Sequence, residues 1–274
     1  MSLNKIPYFF VIGNEKGGAG KTTCCMHLIC ALLEQGFKVA SIDADVRQQS
    51  LSRYLQNRTD YNKANPENQV LEPKHFILQE DKSDNVSQKE QQEIVMFENI
   101  INAIGTNFDI VVIDTPGSFS HYSRLAHSHA DTVITPMNDS FIDLDLIARI
   151  NPADFSVICP SIYSEMVWKQ KMVKMQKSGK PIEWIVMRNR LTSVESTNKR
   201  NMSTALANIS SRLGLTVAPG FSERVIFREL FLQGLTLVDL NKSRRDKSFS
   251  ISHIAARQEL RDFLNYIGIL KQPT

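Results

Sequence analysis

The stretch VIGNEKGGAGKTT, residues 11–23, constrains this chain more than any other. An apolar run, YFFVIG, leads into a glycine-rich turn, and Gly-Lys-Thr then opens the helical pattern TTCCMHLICALLEQG. A turn of that kind, leaving a buried strand and entering a helix, gathers backbone N–H groups and the positive helix end around one anion. Residues 17–23 therefore predict a phosphate cradle. Gly17, Gly18 and Gly20, with Ala19 between them, let the backbone wrap closely. Lys21 reaches the β- and γ-phosphates, the Thr22 hydroxyl is placed to ligate Mg²⁺, and Thr23 lies on the α-phosphate side. A glycine turn that merely packs a helix on a sheet is the bland alternative, and the order strand, loop, Gly-Lys-Thr, helix speaks against it. Two departures stand out: Glu15 occupies the place of the usual first glycine, and a second lysine, Lys16, precedes Lys21 by five positions.

The apolar run before the loop has counterparts along the chain: KVASID at 38–43, DIVVID at 109–114, TVITPM at 132–137 and IEWIVM at 182–187. They are continuous Val/Ile-rich runs without polar alternation, as strands of a parallel sheet covered on both faces must be. Helical patterns lie between several of them. The expected fold is α/β, a single-domain P-loop NTPase over residues 1–274, with a doubly wound, mostly parallel sheet flanked by helices. A polar surface insertion is expected at about 57–93, with one possible strand at HFIL, leading into a helix near 93–104. A Lys/Met-rich helix is expected at about 165–177. Strand ends supply carboxylates in the crevice where such folds bind ligands. Asp114 ends DIVVID before Thr-Pro-Gly, as a carboxylate holding Mg²⁺ through water does in P-loop enzymes. Asp43 and Asp45 end SIDAD, where they can orient metal-bound or attacking water.

No run of eighteen apolar residues occurs and the amino terminus lacks the succession of a signal peptide, so a cytosolic protein is expected. Cys24, Cys25 and Cys30 share one apolar helical run and Cys159 stands alone, a pattern of buried thiols without metal-ligand spacing. His127 and His129 read as ordinary surface or core histidines, and Met166, Met172 and Met175 as a packed stripe, with an interaction surface as the alternative. Charge is uneven: residues 1–160 hold 13 Lys and Arg against 20 Asp and Glu, residues 161–274 hold 19 against 9. The basic half contains RNRLTSVESTNKR, with Arg188, Arg190, Lys199 and Arg200, and Arg212 follows one helix later. Such a cluster contacts nucleic-acid phosphates without reading bases, or is simply a solvated face. Near the carboxyl terminus Leu260, Phe263, Leu264 and Ile267 share one helical face, read as core packing.

KGGAGKT with its extra Lys16 is similar to the deviant Walker A motif of the ParA/MinD ATPases. NEKGGAGKTT, PMNDSFIDLDLI, WIVMRNRL and RVIFRELF extend the likeness to the MipZ branch of that family, ATPases that position the division plane. The resemblance covers nearly the whole chain, although VRQQS after SIDAD departs from the Pro-Gln-Gly segment common in ParA proteins. It implies ATP and Mg²⁺ as ligands and a homodimer when ATP is bound. Lys16 would reach across the two-fold interface to the partner's phosphates, Asp45 would position the hydrolytic water, Thr22 and Asp114 would serve the metal, and Asn189 would lie on the adenine side. It further implies non-specific DNA binding, with nucleoid association, for which Arg188, Lys199, Arg200 and Arg212 of the basic cluster are the candidates. A ParB-type centromere-binding protein and FtsZ are the implied protein partners. MinD proteins bind membrane through a terminal amphipathic helix, but the polar face here is not strongly basic and no membrane contact is expected. Two other readings stay open, a ParA-type partition ATPase and a metabolic P-loop enzyme that consumes ATP with an acceptor.

Overall fold

The computed structural model describes residues 6–81, 83–191, 197–240 and 251–268. A seven-stranded sheet forms the centre. Its strands are β1 (Tyr8–Ile12), β2 (Val39–Asp43), β3 (Lys74–Ile77), β4 (Ile110–Asp114), β5 (Thr132–Asn138), β8 (Glu183–Leu191) and β9 (Thr216–Ser222), in the order β3-β2-β4-β1-β5-β8-β9. Every neighbouring pair is parallel. A short antiparallel hairpin of β6 (Ala148–Ile150) and β7 (Val157–Pro160) stands apart from it.

Why the strand runs are apolar throughout is visible in where alternate residues go. Phe10, Ile12, Val112, Ile185 and Met187 enter one core, and Phe9, Val11, Val111, Ile113 and Val186 the other. Successive side chains of a strand point to opposite faces, so two buried faces require two apolar sets. The first core is closed by α1 (Lys21–Glu34), α2 (Ser50–Ala64), α8 (Ile226–Gln233) and α9 (Ile251–Tyr266). The second lies under α3 (Val86–Ile104), α4 (His121–His129), α6 (Ile162–Ser178) and α7 (Thr197–Leu213). One further turn, α5 (Phe141–Leu144), follows β5. Leu260, Phe263 and Leu264 of α9 are buried, so that face packs on the sheet. Among the described residues no helix is long and apolar enough to cross a membrane.

The polar stretch 57–93 carries ordered elements: the second half of α2, the edge strand β3, and the first turns of α3. HFIL is indeed a strand, shifted by one residue, and it pairs with β2 through Ala40 to Asp43. Polarity there reflects an edge strand without a fully buried residue and a helix whose buried face includes a charge. Arg58 on α2 is buried and forms a two-pronged ion pair with Asp239, both bonds 2.8 Å. It also donates to the carbonyls of Leu71 (2.6 Å) and Gly234 (3.0 Å), while Asp239 accepts from the Thr236 N–H and hydroxyl. A buried pair so fully hydrogen-bonded is a lock between distant segments. The Lys/Met helix is α6. Met166 is in the core, but Met172 and Met175 are exposed, so they do not form the packed stripe expected of them. His127 is fully buried, with its Nδ1 at 2.7 Å from the Ser123 carbonyl.

Candidate nucleotide site

The loop between β1 and α1 lies at the carboxyl end of the central strand, where the chain turns to opposite sides of the sheet: β4 and β2 on one side, β5 and β8 on the other. Ligands of open α/β sheets bind at such a switch point. Asn14 sets the loop's course, its Nδ2 donating to the Pro136 carbonyl (2.6 Å) and its Oδ1 accepting the Lys16 N–H (2.8 Å). Gly20 turns the chain into α1 at φ +93°, and a Cβ there would stand 2.1 Å from Asn189 Nδ2. Gly117, after β4, comes so close that a Cβ would meet the Gly17 nitrogen at 2.9 Å. The loop is thus clasped by two distant segments, and glycine is what lets them approach.

Two adjoining cavities open there. The larger, 540 Å³, is walled by Gly17, Lys21, Thr22, Asp45, Asp114 and Thr115 among others. The second, 390 Å³, is more apolar, with Phe221, Phe227 and Phe231 facing Thr23 and Asn189. Gly20, Thr23, Arg190 and Phe231 border both. A polar chamber at a helix amino end beside an aromatic one suits a triphosphate with an attached base.

The two lysines of the loop part ways. Lys21 is buried, and its Nζ donates to the Lys16 carbonyl at 2.9 Å within the larger cavity. Burial pulls its pKa down, opposed by the charges of Asp114 and Asp45. Lys16 instead points away, 2.5 Å from Asp143 Oδ1. Asp143 is itself buried and anchored by the Asn138 N–H (3.0 Å) and the Ser140 hydroxyl (3.0 Å). The Glu15 side chain does not swing fully outward: its Oε1 is buried without a hydrogen-bond partner, and burial raises its pKa.

Thr22 Oγ1 donates to Asp114 Oδ2 at 2.7 Å, joining the loop to the end of β4. The other oxygen, Asp114 Oδ1, is buried and unpartnered. Burial and then the neighbouring Asp43 charge push the Asp114 carboxyl up to about 7, against the pull of Thr22 and Lys21. An orphaned carboxylate oxygen beside a threonine hydroxyl is the hard-oxygen donor set a divalent cation such as Mg²⁺ takes. Asp43 is buried too, but it is occupied by the Ser52 N–H (2.9 Å) and hydroxyl (2.7 Å). Ser52 in turn touches His75 Nε2 at 2.9 Å, and the Ser41 hydroxyl lies 2.9 Å from His75 Nδ1. That relay from β3 was not legible in the sequence, since its members are scattered over thirty-odd positions; only the strand-end Asp43 gave a signal. Asp45 borders the larger cavity, its Oδ1 accepting the Gln48 N–H at 3.0 Å.

Asn189 Nδ2 donates to the Ala19 carbonyl at 2.9 Å, so in this structure its amide braces the loop at the edge of the aromatic cavity. Arg190, left as one of a basic cluster by sequence reading, borders both cavities at φ +54°. The cluster itself is dispersed. Arg188 turns inward to Asp139 (2.6 Å) and is mostly buried, whereas Arg200 and Arg212 are exposed and Lys199 is half-buried.

Fold and site together define a P-loop ATPase with the two-lysine form of the loop. The profile of the ATPase MipZ family matches residues 8–271, and the chain belongs to that family. Among relatives, the septum site-determining protein MinD of Helicobacter pylori is 30% identical over 152 residues, 51% of this chain and 57% of that protein. MinD of Thermotoga maritima is 29% identical over 150 residues, 50% and 55% of the two chains. The matches thus span a little over half the length of these relatives. Among solved structures, McdA of Cyanothece in an ATP complex superposes with a TM-score of 0.65 at 17% identity, covering 98% of this chain and all of that one. MinD of Pyrococcus horikoshii with Mg-ADP gives 0.56 at 18% identity, covering 96% and 97%. MinD of Aquifex aeolicus in a complex with MinC gives 0.54 at 18%, covering 97% and 98%. These likenesses show that the chain shares the fold of those proteins.

Proposed function

We propose that this ATPase is a nucleotide-dependent dimerisation switch that positions the division site. The observation that carries the reading is the divergence of the two lysines: Lys21 serves its own phosphate chamber, while the Lys16 ammonium lies outside it on Asp143. A cation excluded from its own site is available to a partner's, and charge delivered in trans stabilises a transferring phosphoryl group only once two subunits have met. Within one subunit, the loop amides and Lys21 hold the phosphates and the aromatic cavity takes the base. Thr22 and Asp114 would hold Mg²⁺, which would supply positive charge against the phosphates. Asp45, with Asp43 behind it, orients the attacking water. Neighbours solved with ATP and with Mg-ADP support this assignment of ligands.

The ATP-bound dimer would expose a surface the monomer lacks and so bind DNA non-specifically, a ParB-type protein and FtsZ, whose assembly it would inhibit. Of the basic residues, Arg200 and Arg212 are the exposed candidates for phosphate contact, with Lys199 beside them; the inward pairing of Arg188 argues against its taking part. Sizing the protein with and without a non-hydrolysable ATP analogue tests the switch. A dimer should appear only with the analogue and should inhibit FtsZ polymerisation in a purified mixture. A dimer with no effect on FtsZ that nevertheless moves on DNA would favour a partition ATPase. ATP turnover that requires an added acceptor would favour a metabolic enzyme.

A further inference from the structure

The helix α6 leaves an apolar strip in solvent. Trp168, Met172 and Met175, four and three residues apart, share one side of it and are 58%, 43% and 45% exposed. Ile162, at 73%, and Lys169 run alongside. Next to Trp168 opens a cavity of 530 Å³ between α6, the end of α7 and the start of β8, lined by Pro160, Trp168, Trp184, Arg212 and Leu213 among others. Trp184 spends its only polar group on Thr135, 3.0 Å away, so it offers the cavity an apolar wall. An exposed apolar strip running into a concave apolar cavity is the surface that a soluble protein keeps for a partner.

Charge narrows what that partner is. The helix carries Lys169, Lys171, Lys174 and Lys177 against a single Glu165. Lys174 is neutralised by Asp131 at 2.9 Å, and Lys171 donates to the Gly214 carbonyl. The cavity is lined by two cations, Lys169 and Arg212, against one carboxylate, Glu165, and neither cation forms an ion pair among the described residues. Two copies of this chain brought together at this strip would set cation against cation. Duplex DNA supplies phosphates but nothing to fill an apolar cavity, and a bilayer is too flat to enter one. Location also matters. Tyr163, near the start of α6, donates to the Gly13 carbonyl at the nucleotide loop, whereas Lys174 pairs with the residue before β5 at the opposite end of the sheet. The strip therefore descends the flank, and none of its residues borders either nucleotide cavity.

We infer that α6 is the docking surface for an acidic amphipathic segment of a partner protein, with an apolar side chain seated between Trp168 and Trp184 and carboxylates beside Lys169 and Arg212. The strip is separate from both nucleotide cavities and shares only Arg212 with the proposed DNA face, so the peptide is read in the absence of DNA and nucleotide. A random-peptide display library selected on the full-length protein and, in a separate and independent selection, on the Trp168→Ala variant tests it. Enriched peptides should combine an aromatic or large aliphatic anchor with flanking Asp or Glu. Trp168→Ala should weaken a synthetic winner by roughly tenfold or more, as loss of a hot-spot aromatic does. The double variant Lys169→Glu, Arg212→Glu should reject that winner and accept its Lys-substituted counterpart. Both variants should keep the wild-type melting temperature and ATP affinity, which separates loss of the surface from loss of the fold. Enrichment equal on wild type and Trp168→Ala, or winners that are basic or uncharged, would overturn the inference. So would Trp168-dependent binding to phosphatidylglycerol vesicles or to duplex DNA without any such peptide.

Discussion

Lys21 and Lys16 are five residues apart in one loop and their side chains end in different places, one in the phosphate chamber and one on Asp143. Substituting each therefore has a different consequence. Lys21→Ala removes the chamber's buried cation and abolishes ATP binding, measured by titration with a fluorescent ATP analogue; unchanged affinity would mean that this loop is not the cradle. Lys16→Ala leaves ATP binding intact and yields a monomer by light scattering in the presence of ATP. Asp143→Asn, which keeps the Ser140 and Asn138 contacts in shape but discharges the group holding Lys16, shifts ATP-dependent dimerisation to lower protein concentration. An unchanged dimer constant would show that the pair does not hold Lys16 back. Asp45→Ala removes the carboxylate proposed to orient water while sparing Thr22 and Asp114. Turnover falls by about 10² or more with Mg·ATP affinity retained, the scale of losing one proton-handling or water-orienting group. On the proposed reading the variant should then accumulate as an ATP-bound dimer, and its binding to DNA should weaken steeply with added salt, as phosphate contacts do.

At the scale of elements, the strands β1, β2, β4, β5 and β8 were readable because burial on both faces leaves no room for polar residues. The edges were not. β9 contains Pro219 and Gly220, which interrupt any apolar run, and β3 has exposed ends, a half-buried middle and no fully buried residue. Such edge strands read as loops until a neighbour is seen to pair with them. Helix α2 was hidden for another reason: its core face, Leu51, Tyr54, Leu55 and Arg58, ends in a cation whose partner lies 181 residues away. Arg58→Ala leaves Asp239 buried without its counter-charge and costs about 3–5 kcal/mol, the range for breaking one member of a buried pair. Urea unfolding should show that loss in full, and a change under about 1 kcal/mol would mean that water reaches Asp239.

At the scale of the whole molecule, burial lowers four imidazoles among the described residues: His27, His75 and His127 are each pushed down to about 4, and His129 is lowered as well. Their unfolded forms take up a proton near 6.5. Between those values protons bind the unfolded chain and not the native one, so acid favours unfolding. The stability these groups sustain is complete above about pH 6.5 and is lost as pH falls toward 4. The melting temperature, followed by calorimetry down that range, should drop, and His75→Gln should flatten the slope while keeping the contacts to Ser41 and Ser52 in reach. A slope unchanged by the substitution would remove His75 from the account.

By itself the sequence determined the class of fold, the phosphate loop and the strand-end carboxylates. Each of these rests on short-range rules: glycine where the backbone must turn tightly, continuous apolar runs where both faces are covered, a carboxylate where a strand meets the crevice. Only the tertiary structure decided which charge meets which. Lys16 pairs with a residue 127 positions on, Asn189 braces Ala19, Arg188 withdraws to Asp139, and Met172 and Met175 lie in solvent while Met166 does not. Helical spacing shows which residues share a face but not what, if anything, covers it. Ion pairs and docking faces are settled by the order in which strands assemble, because that order fixes which distant segments come within a few ångströms of each other.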